Sequence, residues 1–172
     1  MKQIIKYVAI VSTAVLLPLS GQGQVNRNHA LVLDGVNDYV VVPDTVSLRL
    51  SSNNFTFCAW VYLESYDQYN SAIVIKRTGT PGDVEGYVLC IGGTEWPSLA
   101  KKFYYKVKGG ANPAVISASE IPLHQWTHIA MVHDVETRVA TIYINGEYDA
   151  EVSNILTPDI ANTTDLRIGM DS

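Results

Sequence analysis

Glu147, Asp149 and Glu151 put three carboxylates at alternate positions, directly after Asn145-Gly146. Paired carboxylates are the chemistry of glycosidic bond cleavage. One protonates the leaving oxygen while the other attacks or activates water, and retaining enzymes hold the two about 5–5.5 Å apart. Alternate residues of a strand share a face, so the acids would line one side and Tyr148, Ala150 and Val152 the other. Along a regular strand, Glu147 and Asp149 would stand roughly 6.5 Å apart and Glu147 and Glu151 roughly 13 Å. Convergence of the two glutamates therefore needs a bulged or strongly curved strand. No tryptophan flanks the segment, and a strand end beside a tight turn is a poor platform for catalysis. The plain reading is a solvated strand face; hydrolysis by Glu147, Asp149 and Glu151 is the alternative. One conflict stands out. A two-residue turn pairs Ile144 with Glu147 and Ile142 with Asp149, which asks for a bulge or a half-exposed face.

Three other groups could bind something. Asp34, Asn37 and Asp38 surround Gly35. Calcium takes six to eight oxygens from carboxylates, amides and carbonyls, so a structural calcium is one reading and an Asx turn without metal the other. Tyr66 and Tyr69 in "ESYDQYN" and Trp96 in "GTEWPSLAKK" are loop aromatics. Flat rings at the end of a sandwich can stack on sugars or cover the core. Cys58 and Cys90 are the two cysteines; they are either one bridge, which an oxidising compartment permits, or two packed thiols. His128 and His133 are five apart and face opposite sides of one strand, so they do not form a metal pair. Trp126 and His128 read as structural.

The elements that position these residues are strands. "ALVLD" (30–34), "DYVVV" (38–42), "FTFCAWVYL" (55–63), "AIVIK" (72–76), "GYVLCIG" (86–92) and "KFYYKVK" (102–108) are separated by turn residues. "WTHIAMVHD" (126–134), "RVATIYI" (138–144), "EYDAEV" (147–152) and "DLRIGM" (165–170) follow. Short strands at this spacing, without helices between them, predict an all-β antiparallel sandwich. Asn145-Gly146 suits a type I′ hairpin turn. "RVATIYI", apolar on both faces, belongs inside a sheet, and "EYDAEV" at an edge.

The first residues, "MKQIIKYVAIVSTAVLLPLSGQGQ", read as a leader. Lys2 and Lys6 precede a short apolar run, and small residues permit cleavage after Gly23. Residues 1–23 are then a signal peptide and residues 24–172 a single exported domain, secreted or at the cell surface, with no membrane insertion after cleavage. The net charge of −5, without a basic run, argues against a nucleic acid partner.

"ALVLDGVNDYVVVP", "NNFTFCAWVYL", "QWTHIAMVHDVETRVATIYINGEYDAEV" and "DLRIGMDS" together resemble laminin-G-like, concanavalin A-type jelly-roll domains, which are related to pentraxins. The resemblance covers about residues 28 to 172. It implies a two-sheet jelly roll and a secreted, non-enzymatic recognition or adhesion module, with a glycan or a cell-surface protein as partner. A purely structural module of a longer surface protein is a further alternative. β-Glucan-cleaving enzymes share the architecture, but the non-catalytic branch carries an ordinary hairpin strand after Y-x-N-G. "FTFCAW" is similar to a pentraxin strand whose partner cysteine would fall at Ala130. The pattern also implies one more strand after "DLRIGMDS", which makes residues 24–172 a C-terminally incomplete domain.

Overall fold

The computed structural model of the chain describes residues 5–9, 30–50, 54–78, 85–107, 115–155 and 162–169. Eleven strands are found among them: β1 (Ile5–Ala9), β2 (Val40–Val42), β3 (Phe55–Leu63), β4 (Ser71–Thr78), β5 (Glu85–Ile91), β6 (Lys102–Val107), β7 (Val115–Glu120), β8 (Trp126–Asp134), β9 (Val139–Ile144), β10 (Glu147–Ser153) and β11 (Leu166–Ile168). A short 3₁₀ turn, Val46–Leu48, follows β2. No helix among the described residues is long and apolar enough to cross a membrane.

The strands form two antiparallel sheets, β1-β3-β8-β9-β10 and β2-β11-β4-β5-β6-β7. The alternation in each strand decides what lies between them. Ala59, Val61 and Leu63 of β3, Ile129 and Met131 of β8, and Ala140 and Ile142 of β9 meet Ile73, Leu89, Ile91, Phe103, Tyr105, Leu166 and Ile168 from the other sheet. Fully burying side chains of this size contributes about 1.5–3 kcal/mol each. A second, smaller cluster of Ala72, Ile75, Val88, Cys90 and Tyr104, with Leu99 and Ile116 against it, covers the outer face of the six-stranded sheet.

Asn145 (φ 53°) and Gly146 (φ 84°) form the expected turn with both central residues at positive φ. β9 lies between β8 and β10, and β10 is an edge. "ALVLD" departs from expectation: Leu31 makes one bridge and no strand forms there. β1 lies in the segment read as a leader and pairs along β3, with Val8 opposite Val61 and Ala9 opposite Trp60.

Candidate functional site

The register of β3 on β8 sets Tyr62 opposite Trp126, Trp60 opposite His128, and Cys58 opposite Ala130. β8 on β9 continues the last row to Tyr143, and β10 extends it to Tyr148. Ala59, Val61, Ile129 and Met131 point into the core, so their strand neighbours Trp60, Tyr62, Trp126 and His128 face outward. The result is an aromatic stripe across the solvent side of the five-stranded sheet.

The rings in this stripe touch one another. Centroids lie 5.3 Å apart for Trp60 and His128, 5.6 Å for Tyr62 and Trp126, 6.5 Å for Tyr62 and His124, and 6.4 Å for Tyr143 and Tyr148. Yet Trp60 and Trp126 each remain 40% exposed and Tyr148 64%. An exposed apolar surface of this kind usually marks a contact site. Aromatic faces pack against apolar C–H surfaces, while Tyr and Trp keep a polar handle for hydrogen bonds. Polar groups rim the stripe: Nδ1 of His124 lies 3.5 Å from a carboxylate oxygen of Glu64. Asn145 accepts a 2.9 Å hydrogen bond from the His128 amide and donates its own amide to the His128 carbonyl at 2.7 Å, which fixes the end of β8 against the hairpin. Trp126 and His128, read from sequence as structural, are thus surface residues. Trp60, Tyr62, Tyr143 and Tyr148 were not singled out by that reading. The signal available was "FTFCAWVYL", which is apolar or aromatic on both faces and can bury only one of them.

The three acids do not share a face. β10 pairs with β9 through Glu147–Ile144 and Tyr148–Tyr143, then Ala150–Ile142 and Glu151–Thr141, with a bulge between Tyr148 and Ala150. Ile144 and Thr141 are three apart and project to opposite sides, so Glu147 and Glu151 do too. Glu151 accepts a 3.3 Å bond from the Thr141 hydroxyl on the outer side. Asp149 is the bulged residue, and its carboxylate accepts the amides of Ala118 (2.6 Å) and Ser119 (3.1 Å). The bulge resolves the register conflict and re-aims Asp149 onto β7. The expected single face of Glu147, Asp149 and Glu151 is corrected accordingly, and the geometry offers no converging acid pair at β10.

The loop aromatics divide. Tyr66 packs against the core and donates its hydroxyl to the Ile121 carbonyl at 2.7 Å, with Lys101 Nζ 5.4 Å from its ring centroid. Burial pushes its phenol pKa up, with the charge of Glu120 adding to the shift. Tyr69 and Trp96 stand exposed. Their loops are stitched together by Thr94 N to Asp67 O and Glu95 N to Gln68 O, both 2.9 Å.

Asp34, Asn37 and Asp38 form a turn held by its own amides. Asp34 Oδ1 accepts from the amides of Val36, Asn37 and Asp38, and Asp38 Oδ2 accepts from that of Asp34. An oxygen facing three N–H groups is not presented to a cation. The described residues also assemble no group of three or more His, Cys, Asp or Glu side chains that could hold one.

Cys58 and Cys90 are thiols, and no bridge joins them. Cys58 lies on the outer side of the five-stranded sheet, opposite Ala130, and Cys90 packs on the outer side of the other sheet. Packed sheets are about 10 Å apart, whereas a disulfide needs Cα atoms within about 7 Å. Of the two alternatives, the Cys58–Cys90 bridge is therefore set aside and the packed thiols are what the structure shows.

A family model, Laminin_G_3, described as the concanavalin A-like lectin/glucanases superfamily, matches residues 34–172. No curated protein matches the chain. Among solved structures, the chain is similar to the binding domain of Paraclostridial Mosquitocidal Protein 1, with TM-score 0.65, 14% identity, and coverage of 98% of this chain and 45% of that one. It is also similar to a candidate carbohydrate binding protein from Bacteroides ovatus ATCC 8483, with TM-score 0.58, 22% identity, and coverage of 76% of this chain and 34% of that one. A third is the CBM40 module of the Ruminococcus gnavus IT-sialidase bound to α2,3-sialyllactose, with TM-score 0.51, 13% identity, and coverage of 77% of each chain. The chain thus spans under half the length of the first two structures. These likenesses establish the jelly-roll fold.

Proposed function

We propose, for a chain that belongs to the concanavalin A-like lectin/glucanases superfamily, the role of a non-enzymatic glycan-binding module. The observation that carries this reading is the outward-facing stripe of Trp60, Tyr62, Trp126 and His128, continued by Tyr143 and Tyr148, in which Trp60, Trp126 and Tyr148 are exposed and the others half-buried. Sugar rings present apolar C–H faces to such rings and hydroxyls to the polar groups at their margin. The names of the solved relatives, which include a carbohydrate-binding module bound to a sialylated sugar, support glycan as the class of partner. The separation of Glu147 from Glu151, and the engagement of Asp149 by β7, support binding without hydrolysis. The leader read in residues 1–23 adds export, to the medium or the cell surface, to the proposal.

A glycan array with the purified chain tests it. Saturable binding to one or more glycans, lost in Trp60→Ala and Trp126→Ala variants that keep their melting temperature, is the expected result. A clean array, together with capture of a cell-surface protein, would favour a protein partner instead. Tyr69 and Trp96 carry a second reading of where sugar sits, because both are exposed on stitched loops. Loss of binding in Trp96→Ala but not in Trp60→Ala would move the site to that end of the sandwich.

A further inference from the structure

The opposite outer face, that of the six-stranded sheet, holds a groove of different chemistry. Arg167 of β11 sits opposite Ile75 of β4 and Val41 of β2. Arg77 is two residues beyond Ile75 and shares its face. Ile75, Arg77, Thr163, Thr164, Asp165 and Arg167 line a cavity of about 340 Å³, within the range of small-ligand sites. The groove is thus lined by the half-exposed Arg167, the buried Arg77, two threonines and Asp165, in a chain whose net charge is −5.

The wall of the groove is fixed from behind. Lys76 points inward and is fully buried. Its ammonium donates to Asp44 Oδ1 at 2.7 Å, to the Asn162 carbonyl at 3.0 Å and to the Thr164 carbonyl. The Asn162 side chain returns a 3.2 Å bond to the Lys76 carbonyl. Gly86 (φ 133°) permits that approach, since a Cβ there would lie 2.4 Å from Asn162 Nδ2. Asp165 Oδ1 accepts the Asp44 amide at 3.0 Å. Residues 162–165 are thus tied at both ends, and Thr163, Thr164 and Asp165 are held at the rim. Arg167 lies over the Tyr39 ring, 5.7 Å from its centroid, and makes no ion pair with a carboxylate among the described residues. Stacking orients a guanidinium while leaving its N–H fork available.

We propose that this groove is a second ligand site, for the carboxylate of an acidic saccharide. Arginine forks match a carboxylate through two parallel hydrogen bonds. The Thr163 hydroxyl and the Asp165 carboxylate suit sugar hydroxyls, which donate and accept, and Thr164, whose hydroxyl donates to Asn162 Oδ1, can still accept. The same carboxylate opposes a bare dianion, because like charges placed together across an interface are costly. That selects a singly charged, hydroxyl-rich ligand over phosphate or sulfate. The groove lies on the face opposite Trp60 and Trp126, so it stands whether or not the aromatic stripe binds sugar.

The test is calorimetric titration of the full chain with glucuronate, galacturonate and N-acetylneuraminate. Glucose and galactose are the neutral controls, and sodium sulfate is the bare oxyanion. At least one acidic sugar should bind saturably, at least tenfold tighter than its neutral counterpart and than sulfate. Arg167→Gln should weaken it at least tenfold, Arg167→Lys by an intermediate factor, and Trp60→Ala by less than twofold. The proposal is overturned if no acidic sugar binds, if neutral sugars or sulfate bind as well, or if Arg167→Gln leaves the affinity unchanged. Melting curves accompany each variant. Should Arg167→Gln fail to fold, Arg167→Lys decides, and unchanged affinity there overturns the proposal. Loss of acidic-sugar binding in Trp60→Ala with Arg167→Gln unchanged would place that sugar on the aromatic stripe and overturn the groove, whereas a clean glycan array beside intact acidic-sugar binding would count against the stripe alone.

Discussion

The phenol oxygen of Tyr105 lies 3.0 Å from Nδ1 of His133, and this hydrogen bond joins the two sheets through the core. Tyr105 belongs to the six-stranded sheet and His133 to the other, and both are buried. Phe55 packs against both rings. Tyr105→Phe keeps the packing but leaves a buried imidazole nitrogen without its partner. A loss of about 1–3 kcal/mol is expected, read by urea unfolding; an unchanged midpoint would show the bond to be energetically idle.

The same histidine sets a pH dependence. Burial lowers the His133 pKa below its usual 6.5, an effect that the nearby Asp134 charge opposes. The folded state therefore binds this proton more weakly than the unfolded state. The stabilisation is fully present above about pH 6.5 and declines as pH falls from there towards the folded pKa. Unfolding midpoints measured between pH 8 and 5 should drop on the acid side, and the drop should shrink in His133→Asn. A profile identical in the two proteins would assign the effect elsewhere.

A second acid transition belongs to Asp44. Hydrogen bonds from Arg49, then from Lys76, hold its pKa down to about 2, against an ordinary 3.8. Its contribution is present above about pH 4 and is lost as pH falls towards 2. Protonation weakens the hold on the Lys76 ammonium, and with it on residues 162–165. Chemical shifts of Thr163 and Thr164 should follow Asp44 over that window. Asp44→Asn should abolish their response, and shifts that persist in the variant would show that another group drives them.

Much of the architecture was legible because burial and alternation coincide. "FTFCAWVYL" and "WTHIAMVHD" fill β3 and β8 from end to end, since each strand has one face of core residues. β7 was missed for the opposite reason. Ser117 occupies a buried position and satisfies itself by accepting the Phe103 amide and donating to the Ser119 carbonyl, so "VISASE" lacks an apolar period. The candidate site was harder to read. Sequence shows that both faces of β3 are aromatic or apolar, but the face left uncovered depends on what the rest of the chain lays over it. Arg77 and Arg167 are 90 residues apart and meet only because β11 is inserted between β2 and β4.

The acids of β10 should separate by role. Asp149→Ala removes the acceptor for two amides of β7 at a partly exposed site, with an expected cost of about 1 kcal/mol. Glu147→Gln and Glu151→Gln should stay within about 0.5 kcal/mol of the parent. No reducing sugar should be released from laminarin or lichenan by the parent chain. Release that disappears in Glu147→Gln would restore the hydrolytic reading.

Thiol labelling checks the cysteines. Denatured, unreduced protein should react at two thiols, Cys58 and Cys90, and reductant should leave the melting temperature unchanged. An intact mass lighter by two hydrogens would mean that the two sheets do not sit as described.

The last expectation concerns β1. In the full chain Ile5–Ala9 pair with β3, yet cleavage after Gly23 would remove them. β3 would then present an open row of N–H and C=O groups beside Trp60 and Tyr62, and a flat, apolar edge of that kind recruits other strands. Exported protein should begin at Gln24 by N-terminal sequencing; a chain still beginning at Met1 would discard the leader. Light scattering should then find residues 24–172 associating more strongly than the full chain, because pairing with a second copy replaces the bonds that β1 supplied. Equal, monomeric behaviour of both would mean that β1 contributes nothing to keeping the β3 edge closed.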